Sequence, residues 1–265
     1  LTPGEYQLRG FFRFGDRGQI IHNEVITVKE GDFNFPAADA IGVLTLEPQL
    51  IDLKLRPGER RSQSIQIQSE VGDDAYIAVT LRDVRTEYPY SLLNWIELRN
   101  TEVLLRARSS TRIPVTLAVP RDAVPGSYHG NLVFLTLDPE TGKPVSEKVV
   151  PVSLVIGDEF EYEVDVRSLA AKFIEGEGHW LSVDLYNSSN VMISPQITLV
   201  IFDKEGNYVH RAELNLPEGV DRILPLNSQQ LETVIPKLEN GIYSVELEIR
   251  SSGKQIAAFE RSLEI

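Results

Sequence analysis

The sequence predicts an all-β protein made of antiparallel β-sandwiches in tandem, with little helix. Apolar and polar residues alternate with a period of two along many short segments, which is the pattern of strands that bury one face. Turns rich in glycine and proline separate these segments at the short intervals that a sandwich needs. A Gly-x-Tyr motif opens an alternating segment three times, at Gly4, Gly126 and Gly241. These observations favour a series of β modules over a parallel, helix-flanked sheet.

The first element is a predicted hairpin within residues 1–31. Alternating aromatic and aliphatic residues, a turn at residues 15–18 and a second apolar run at residues 20–28 supply its two strands. Its likeness to residues 243–265 leads us to interpret it as the C-terminal hairpin of a preceding, truncated domain. An isolated hairpin is only marginally stable in water, so we expect it to seek a sheet edge, on its own chain or by strand exchange with a neighbour.

Two complete domains are predicted to follow, at residues 41–157 and 158–265. Ile65 lies in a clear alternating run of the first domain, and Val245 lies in the clearest run of the second. The join at residues 157–162 is acidic and short, so we expect restricted hinge motion between the domains.

The remaining elements are one candidate helix and one aromatic plug. A helix of one or two turns is predicted at Ser228–Ile235, because Ser228 is a suitable N-cap and Pro236 would end it. Trp95 leads into a strand and is predicted to fill the sandwich core.

The glycine and tyrosine of the repeated motif have predicted structural roles. Gly126 and Gly241 would allow the backbone to turn tightly into a strand. Tyr128 and Tyr243, two positions later, would bury their rings while each hydroxyl bonds a nearby backbone group, as in a tyrosine corner.

Composition excludes several classes of function. The chain has no cysteine, so it holds no disulfide, thiolate metal site or cysteine nucleophile. Its formal charge of −13 opposes nonspecific binding to nucleic acid. That charge is uneven: residues 158–265 hold 19 acidic and 9 basic side chains, whereas residues 56–121 hold ten arginines and no lysine. No apolar run approaches the ~20 residues of a membrane helix, so we expect membrane anchoring only through segments outside these residues.

Three segments of the first domain resemble PapD-like, immunoglobulin-type modules of bacterial envelope proteins. They are residues 50–59 (LIDLKLRPGE), 64–67 (SIQI) and 113–130 (IPVTLAVPRDAVPGSYHG). The resemblance implies immunoglobulin-like sandwiches and a place outside the cytoplasm. The two-module order is also loosely similar to that of WxL-interacting cell-surface proteins of Gram-positive bacteria. That second resemblance implies a first module that contacts the cell wall and a second that faces a protein partner.

No residues form a recognisable catalytic or metal-binding pattern. The four histidines, at positions 22, 129, 179 and 210, are scattered among predicted strands without the HExxH spacing of a zinc site. No serine lies in a GxSxG elbow. The acidic residues at 158–165 alternate along one solvated strand face and match no calcium loop. We therefore predict no enzyme activity, no catalytic residue, no metal and no cofactor.

Five residues are candidates for binding a partner. Arg106 and Arg108, two apart, are predicted to share a strand face, with Arg112 following across a turn. Their planar guanidinium groups suit an anionic cell-wall polymer, although nearby acids could instead neutralise them in a surface charge mosaic. Tyr88 and Tyr90 lie in an irregular segment, where exposed rings can stack on sugars or peptides.

The sequence therefore favours a non-enzymatic scaffold or adhesion protein of a bacterial cell surface, either surface-bound, periplasmic or secreted. It would bind a protein or a cell-wall polymer through sheet edges and loops. A periplasmic pilus-type chaperone is one alternative, and it requires a long apolar edge strand, for which residues 132–137 are the candidate. An ancillary module of a secreted carbohydrate-active enzyme is another, and it predicts a catalytic domain elsewhere in the gene product.

Overall fold

The computed structural model describes residues 4–14, 18–28, 44–69, 74–158 and 160–265, and in the first two ranges it describes the backbone alone. The regular structure of these residues is strand, apart from one 3-10 turn at Leu93–Trp95, and turns and irregular segments join the strands, so the all-β prediction with little helix is confirmed. None of the helical structure in these ranges is long and apolar enough to span a membrane. The strands are β1 (Gly4–Phe14), β2 (Gly18–Val28), β3 (Leu44–Glu47), β4 (Ile51–Leu55), β5 (Arg60–Ser69), β6 (Ala75–Arg82), β7 (Ile96–Leu98), β8 (Glu102–Leu105), β9 (Ser110–Ala118), β10 (Gly126–Leu137), β11 (Pro144–Ile156), β12 (Val164–Ile174), β13 (Gly178–Asn187), β14 (Pro195–Phe202), β15 (Tyr208–Leu214), β16 (Ser228–Ile235), β17 (Ile242–Ser251) and β18 (Lys254–Glu264).

Strands β1 and β2 form an antiparallel two-stranded sheet of their own. Their register runs from Gly4 opposite Val28 to Phe14 opposite Gly18. The predicted hairpin is therefore confirmed. Its interpretation as the end of a truncated domain, and its strand exchange, stay predictions.

Two sheets enclose the first apolar core, and we call them the first sheet pair. One has the order β4-β11-β10-β6-β8 and the other has the order β3-β5-β9-β7. The chain crosses from one sheet to the other between β3 and β4, at residues 48–50. Strand β4 pairs parallel to β11, and the remaining pairs are antiparallel. Ile65, Ile67 and Phe134 are fully buried between the sheets, as their alternation predicts.

A second pair of sheets encloses a separate core, and we call it the second sheet pair. Its sheets have the orders β12-β13-β16 and β15-β14-β17-β18. Leu181, Leu199, Leu231 and Val245 are completely buried there. The fold is thus immunoglobulin-like in its layers, and the domain bounds 41–157 and 158–265 stay predictions.

The predicted helix at Ser228–Ile235 is wrong, because this segment is strand β16. It pairs with β13 from Ser228 opposite Tyr186 to Ile235 opposite His179. The backbone thus finds its hydrogen-bond partners in a neighbouring strand, and the β-branched residues Thr233, Val234 and Ile235 favour that conformation. Sheet pairing outweighs the local capping signal of Ser228.

Both predicted tyrosine corners are confirmed. The Tyr128 hydroxyl donates to the carbonyl of Val124 at 3.0 Å, and the Tyr243 hydroxyl donates to that of Glu239 at 2.9 Å. Each bond ties the strand to the loop four residues earlier. Trp95 packs against the first core, with its ring centroid 4.3 Å from that of Tyr128, as predicted for a core residue.

The two motif glycines differ in what they do. Gly126 has a φ of 156°, and a Cβ there would lie 2.7 Å from the carbonyl oxygen of Asn190. Gly241 adopts no left-handed conformation, and a Cβ there would meet nothing closer than the Tyr243 ring at 3.8 Å. The predicted need for glycine is therefore wrong at Gly241, because alanine fits that backbone and that space.

Candidate functional site

Arg106 and Arg108 do not share a strand face. Strand β8 ends before Arg106, and the chain then turns, with the Ser109 amide donating to the Arg106 carbonyl at 3.1 Å and Arg108 at a φ of 52°. The turn is required because β8 and β9 belong to different sheets. Arg112 follows this turn in β9, where it lies opposite Gln66 of β5. The prediction that Arg106 and Arg108 share a strand face is therefore wrong, whereas Arg112 does follow across a turn, as predicted.

The guanidinium groups of Arg106, Arg108 and Arg112 are nevertheless exposed. Within the described ranges none of the three forms an ion pair with a carboxylate. Arg82, in the same region, is paired instead: its guanidinium donates two hydrogen bonds of 2.7 Å to the Glu147 carboxylate. This pairing raises the pKa of Arg82. The three candidates thus stay available as separate positive charges.

The two candidate tyrosines do not form an exposed surface on which a sugar or peptide could stack. Tyr88 is only 4% exposed, and its hydroxyl donates to the Pro225 carbonyl at 3.1 Å. Burial raises the pKa of this hydroxyl. Tyr90 is half-buried and stacks edge-to-face on Tyr128, with ring centroids 5.8 Å apart. The prediction that Tyr88 binds an outside partner is wrong. The segment that contains Tyr88 runs alongside β10, and the Tyr88 side chain faces the second sheet pair.

Backbone hydrogen bonds join the two sheet pairs at a contact that we call the junction. The amide of Ser127, at the start of β10, donates to the carbonyl of Asn190 at 2.9 Å. The amide of Met192 donates to the Ser127 hydroxyl at 2.7 Å, and the Asn190 side chain donates to the Pro125 carbonyl at 3.2 Å. This density of bonds explains why Gly126, at the centre of the contact, has no room for a side chain.

A buried histidine lies beside the junction, between two serines. The Nε2 of His129 is 3.0 Å from the Ser127 hydroxyl, and its Nδ1 is 2.9 Å from that of Ser153. The three residues are between 0% and 4% exposed. Burial, with the nearby charge of Arg222, lowers the pKa of His129 to about 3, so the ring is neutral at physiological pH.

The contacts of His129, Ser127 and Ser153 stabilise the fold and do not fit a catalytic role. A catalytic serine and histidine need access for a substrate and a third group that orients the ring. Here both ring nitrogens of His129 contact serine hydroxyls, and the Ser127 hydroxyl also accepts the amide of Met192. Sequence reasoning did not single out Ser127 and His129, although their spacing of two on one strand was a signal that they share a face.

An ion network crosses the junction through Arg222. Its guanidinium donates to Asp52 at 2.7 Å and to Asp221 at 2.8 and 2.9 Å. The hydrogen bond to Asp221 raises the pKa of Arg222 and lowers that of Asp221. Because the Arg222 side chain is only 21% exposed, this network contributes more than a solvent-exposed pair would. No sequence pattern pointed to it, since Asp52 and Arg222 lie in different sheet pairs.

Part of the edge of β11 lies open to a partner strand beside the five-stranded sheet, in addition to the outer edges of the terminal strands β4 and β8. Strand β11 pairs with β10 along its length, but β4 covers it only from Val152 to Ile156. Among the described residues, no strand lies beside positions 144–151 on that side. The Lys148 amine bonds the Leu44 carbonyl across the sandwich, and Val149 is 41% exposed.

The edge strand that the chaperone alternative required is not where the sequence placed it. Residues 132–137 belong to β10, which lies between β11 and β6. Leu132, Val133 and Phe134 are fully buried. Their apolar character therefore reflects a central strand, and that prediction is wrong. No group of three or more histidine, cysteine, aspartate or glutamate side chains within the described ranges is placed to hold a metal ion.

Comparison with known proteins gives similarity in fold. No protein-family model matches the sequence, and no curated protein is similar to it. Among solved structures, a protein of the chaperone–tip adhesin complex of CFA/I fimbriae has 14% identity and a TM-score of 0.45, over 80% of this chain and 96% of that one. The E. coli chaperone DraB has 10% identity and a TM-score of 0.42, over 83% and 98%. The CupB2 chaperone of Pseudomonas aeruginosa has 9% identity and a TM-score of 0.40, over 83% and 100%.

Fimbrial chaperones are thus among the proteins that this chain is similar to. The immunoglobulin-like layers that the resemblance to PapD-like modules implied are present in the two sheet pairs of this chain. At these identities and scores the likeness carries no argument about activity, which rests on the geometry of this chain.

Proposed function

We propose that the protein is a non-enzymatic, extracytoplasmic binding module of a bacterial cell surface that holds a protein partner by strand addition. The observation that supports this proposal is the edge of β11 at residues 144–151, beside which no strand of the described residues lies. A partner strand placed there would continue the five-stranded sheet in line with β4. Its backbone would bond the unpaired backbone groups of β11, which supplies affinity, while side-chain contacts supply specificity.

Two features of the β11 edge favour pairing with a specific strand over indiscriminate aggregation. Prolines at positions 144 and 151 lack the amide hydrogen that pairing needs, so they limit addition to the residues between them. Lys148 places a charge toward the inside of the edge, a device that opposes indiscriminate pairing. The edge thus accepts a strand of limited length and matching register.

Site-specific photo-crosslinking tests this function, because a cysteine-free chain takes a single labelled cysteine at any chosen position. We expect Val149→Cys, carrying a photo-crosslinker, to form a covalent adduct with one protein on cells that express the native chain. The matched control is Ile242→Cys, which is 64% exposed and lies in β17 of the second sheet pair, opposite Glu264 of β18. Equal adducts from both positions would contradict strand addition.

The captured protein then allows a measurement of affinity. We expect Val149→Lys to weaken binding by about tenfold, which corresponds to ~1.4 kcal/mol, because edge lysines oppose added strands. Amide hydrogen exchange should show protection of residues 145–150, which lie between the two prolines, in the complex and no change in the central strand β10. Protection elsewhere, with the β11 edge unaffected, would refute the proposed site.

The pilus-chaperone alternative uses the same edge and differs in its partner. It requires that the bound protein be a subunit with an incomplete sandwich, which copurification would identify. The cell-wall alternative is favoured by the unpaired guanidinium groups of Arg106, Arg108 and Arg112. It predicts that Arg106→Ala with Arg108→Ala abolishes binding to an anionic glycopolymer, and binding that survives both changes would exclude it.

A further inference from the structure

The segment between β16 and β17 carries an asparagine followed by a glycine, at Asn240 and Gly241. Every other asparagine of the sequence is followed by a larger residue. Asn240 is exposed, and among the described residues its side chain has no hydrogen-bond partner. The Asn240 carboxamide can therefore rotate toward the backbone nitrogen of Gly241.

Gly241 leaves that rotation unobstructed. A glycine has no side chain beside its own nitrogen, and its backbone reaches more conformations than that of any other residue. Gly241 is exposed, and a Cβ there would meet nothing closer than the Tyr243 ring at 3.8 Å. Gly241 itself therefore places nothing in the way of the Asn240 carboxamide.

Hydrogen bonds hold the backbone on both sides of Asn240. The Gly241 amide donates to the Ile265 carbonyl at 3.2 Å, and the Ile265 amide donates to the Gly241 carbonyl at 3.0 Å. On the other side, the Glu239 carbonyl accepts the Tyr243 hydroxyl at 2.9 Å. The Gly241–Ile265 pair must open before the Gly241 nitrogen can react, because its proton is engaged there. Strand β18, which ends just before Ile265, is a terminal strand of its sheet, and such strands open locally more easily than central ones.

We propose that Asn240 is a site of spontaneous covalent modification whose rate the Gly241–Ile265 pair controls. When the pair opens, hydroxide removes the proton of the Gly241 amide, and the nitrogen attacks Cγ of Asn240. A new C–N bond closes a five-membered succinimide, while the Cγ–Nδ2 bond breaks and Nδ2 leaves as ammonia after taking a proton from water. Water then reopens the ring, giving aspartate by addition at Cγ or isoaspartate by addition at the main-chain carbonyl. Neither step needs an oxidant or a reductant.

Isoaspartate at position 240 changes the path of the backbone. Its Cβ becomes part of the main chain, which adds one carbon between Glu239 and Gly241. Because Glu239 is tied to Tyr243 and Gly241 is tied to Ile265, the longer chain no longer fits both ties. The Gly241–Ile265 pair should therefore be lost, and the adjoining end of β18 should open. The modification is thus a one-way change that loosens an edge of the second sheet pair.

Incubation of the folded full chain, followed by peptide mapping with mass spectrometry, tests the site. We expect aspartate and isoaspartate to accumulate at position 240, faster at mildly alkaline than at neutral pH, because the Gly241 nitrogen must lose its proton. The internal reference is Asn100, which is exposed, has no side-chain hydrogen bond among the described residues and precedes the β-branched Thr101. Asn240 should react at least about tenfold faster than Asn100. Equal rates at the two positions would overturn the proposal.

Two variants separate the chemistry from its control by hydrogen bonding. Gly241→Ala keeps the main-chain hydrogen bonds but crowds the attacking nitrogen with a methyl group, so the reaction should slow by at least about tenfold. Ile265→Pro lacks the amide that donates to the Gly241 carbonyl, so the pair opens more often and the reaction should accelerate several-fold. An unchanged rate in Gly241→Ala would overturn the succinimide route. An unchanged rate in Ile265→Pro would overturn the control by the Gly241–Ile265 pair.

The native chain supplies a measurement that needs no variant. Urea at concentrations below the unfolding transition should raise amide hydrogen exchange at Gly241 and the rate of modification together, and modification that does not follow exchange would contradict the control. Asn240→Asp separates the added charge from the longer backbone, because it carries the charge alone. Chain modified to isoaspartate should exchange the Gly241 and Ile265 amides faster than Asn240→Asp, and equal exchange would refute the loss of the pair. Thermal unfolding, measured by circular dichroism, establishes that each variant remains folded.

Discussion

Acidification should destabilise this protein through His129 well before its carboxylates protonate. The folded-state pKa of His129 is lowered to about 3 by burial, whereas an unfolded histidine titrates near ~6.5. Between these values the unfolded chain binds a proton that the folded chain does not bind. The free energy of unfolding therefore decreases by ~1.4 kcal/mol for each pH unit through this window.

The sign and size of the effect follow from this difference. Above about pH 6.5 the ring is neutral in both states, so the contribution of His129 to stability is fully present. It is lost as the pH falls from about 6.5 toward 3. At pH ~4.5 the expected loss is roughly 2–3 kcal/mol, a large part of a typical unfolding free energy. Asp221, whose pKa is lowered by Arg222, acts only at lower pH.

Urea unfolding at pH ~7.5 and ~4.5, followed by tryptophan fluorescence, to which Trp95 beside Tyr128 contributes together with Trp180, measures this effect. The matched variant is His129→Gln, which stays neutral at every pH. It should be less stable at neutral pH by ~1–3 kcal/mol, because buried hydrogen bonds are lost. On acidification the difference in unfolding free energy between the native chain and the variant should narrow by roughly 2–3 kcal/mol. A difference that stays constant would refute the assignment of this proton to His129.

Two further predictions concern the junction. Gly126→Ala should reduce the free energy of unfolding by ~1–3 kcal/mol, because the added methyl would lie 2.7 Å from the Asn190 carbonyl oxygen. Its control, Gly241→Ala, should stay within ~0.5 kcal/mol of the native chain, and equal losses in thermal melting would contradict the close approach. Tyr88→Phe should cost ~1–3 kcal/mol in urea unfolding, because the buried Pro225 carbonyl loses its donor. An unchanged midpoint would show that this hydroxyl has no such role.

Local patterns in the sequence predicted the strands and the tyrosine corners correctly. Alternation fixes which face of a strand is buried, so Ile65 and Val245 could be assigned without knowledge of their neighbours. Tyr128 and Tyr243 were equally predictable, because each hydroxyl bonds a carbonyl only four residues earlier. Ser228–Ile235 failed because a strand partner far along the chain decided its conformation.

The candidate site depends on contacts that no local pattern reports. Tyr88 and Pro225 are 137 residues apart in the sequence, and Asp52 and Arg222 are 170 apart. The loop that covers Tyr88 could not be anticipated, so its ring was predicted to be exposed. The position of Arg108 on a turn likewise follows from the passage of the chain between sheets. The order of strands within a sheet, rather than the composition of each strand, decides which strand is central and which strand has an open edge.

The point at which the chain crosses between β3 and β4 sets the length of the partner strand that can pair with β11. Strand β4 begins beside Val152, so among the described residues the open edge covers positions 144–151, and the prolines at its two ends leave six positions, 145–150, for pairing. At ~3.3 Å per residue these six positions measure roughly 20 Å, about the reach of an ordinary short strand. Insertions or deletions at residues 48–50 would move the start of β4 along β11 and so lengthen or shorten the open edge. A loop that does not contact the partner strand would then determine how long that strand can be.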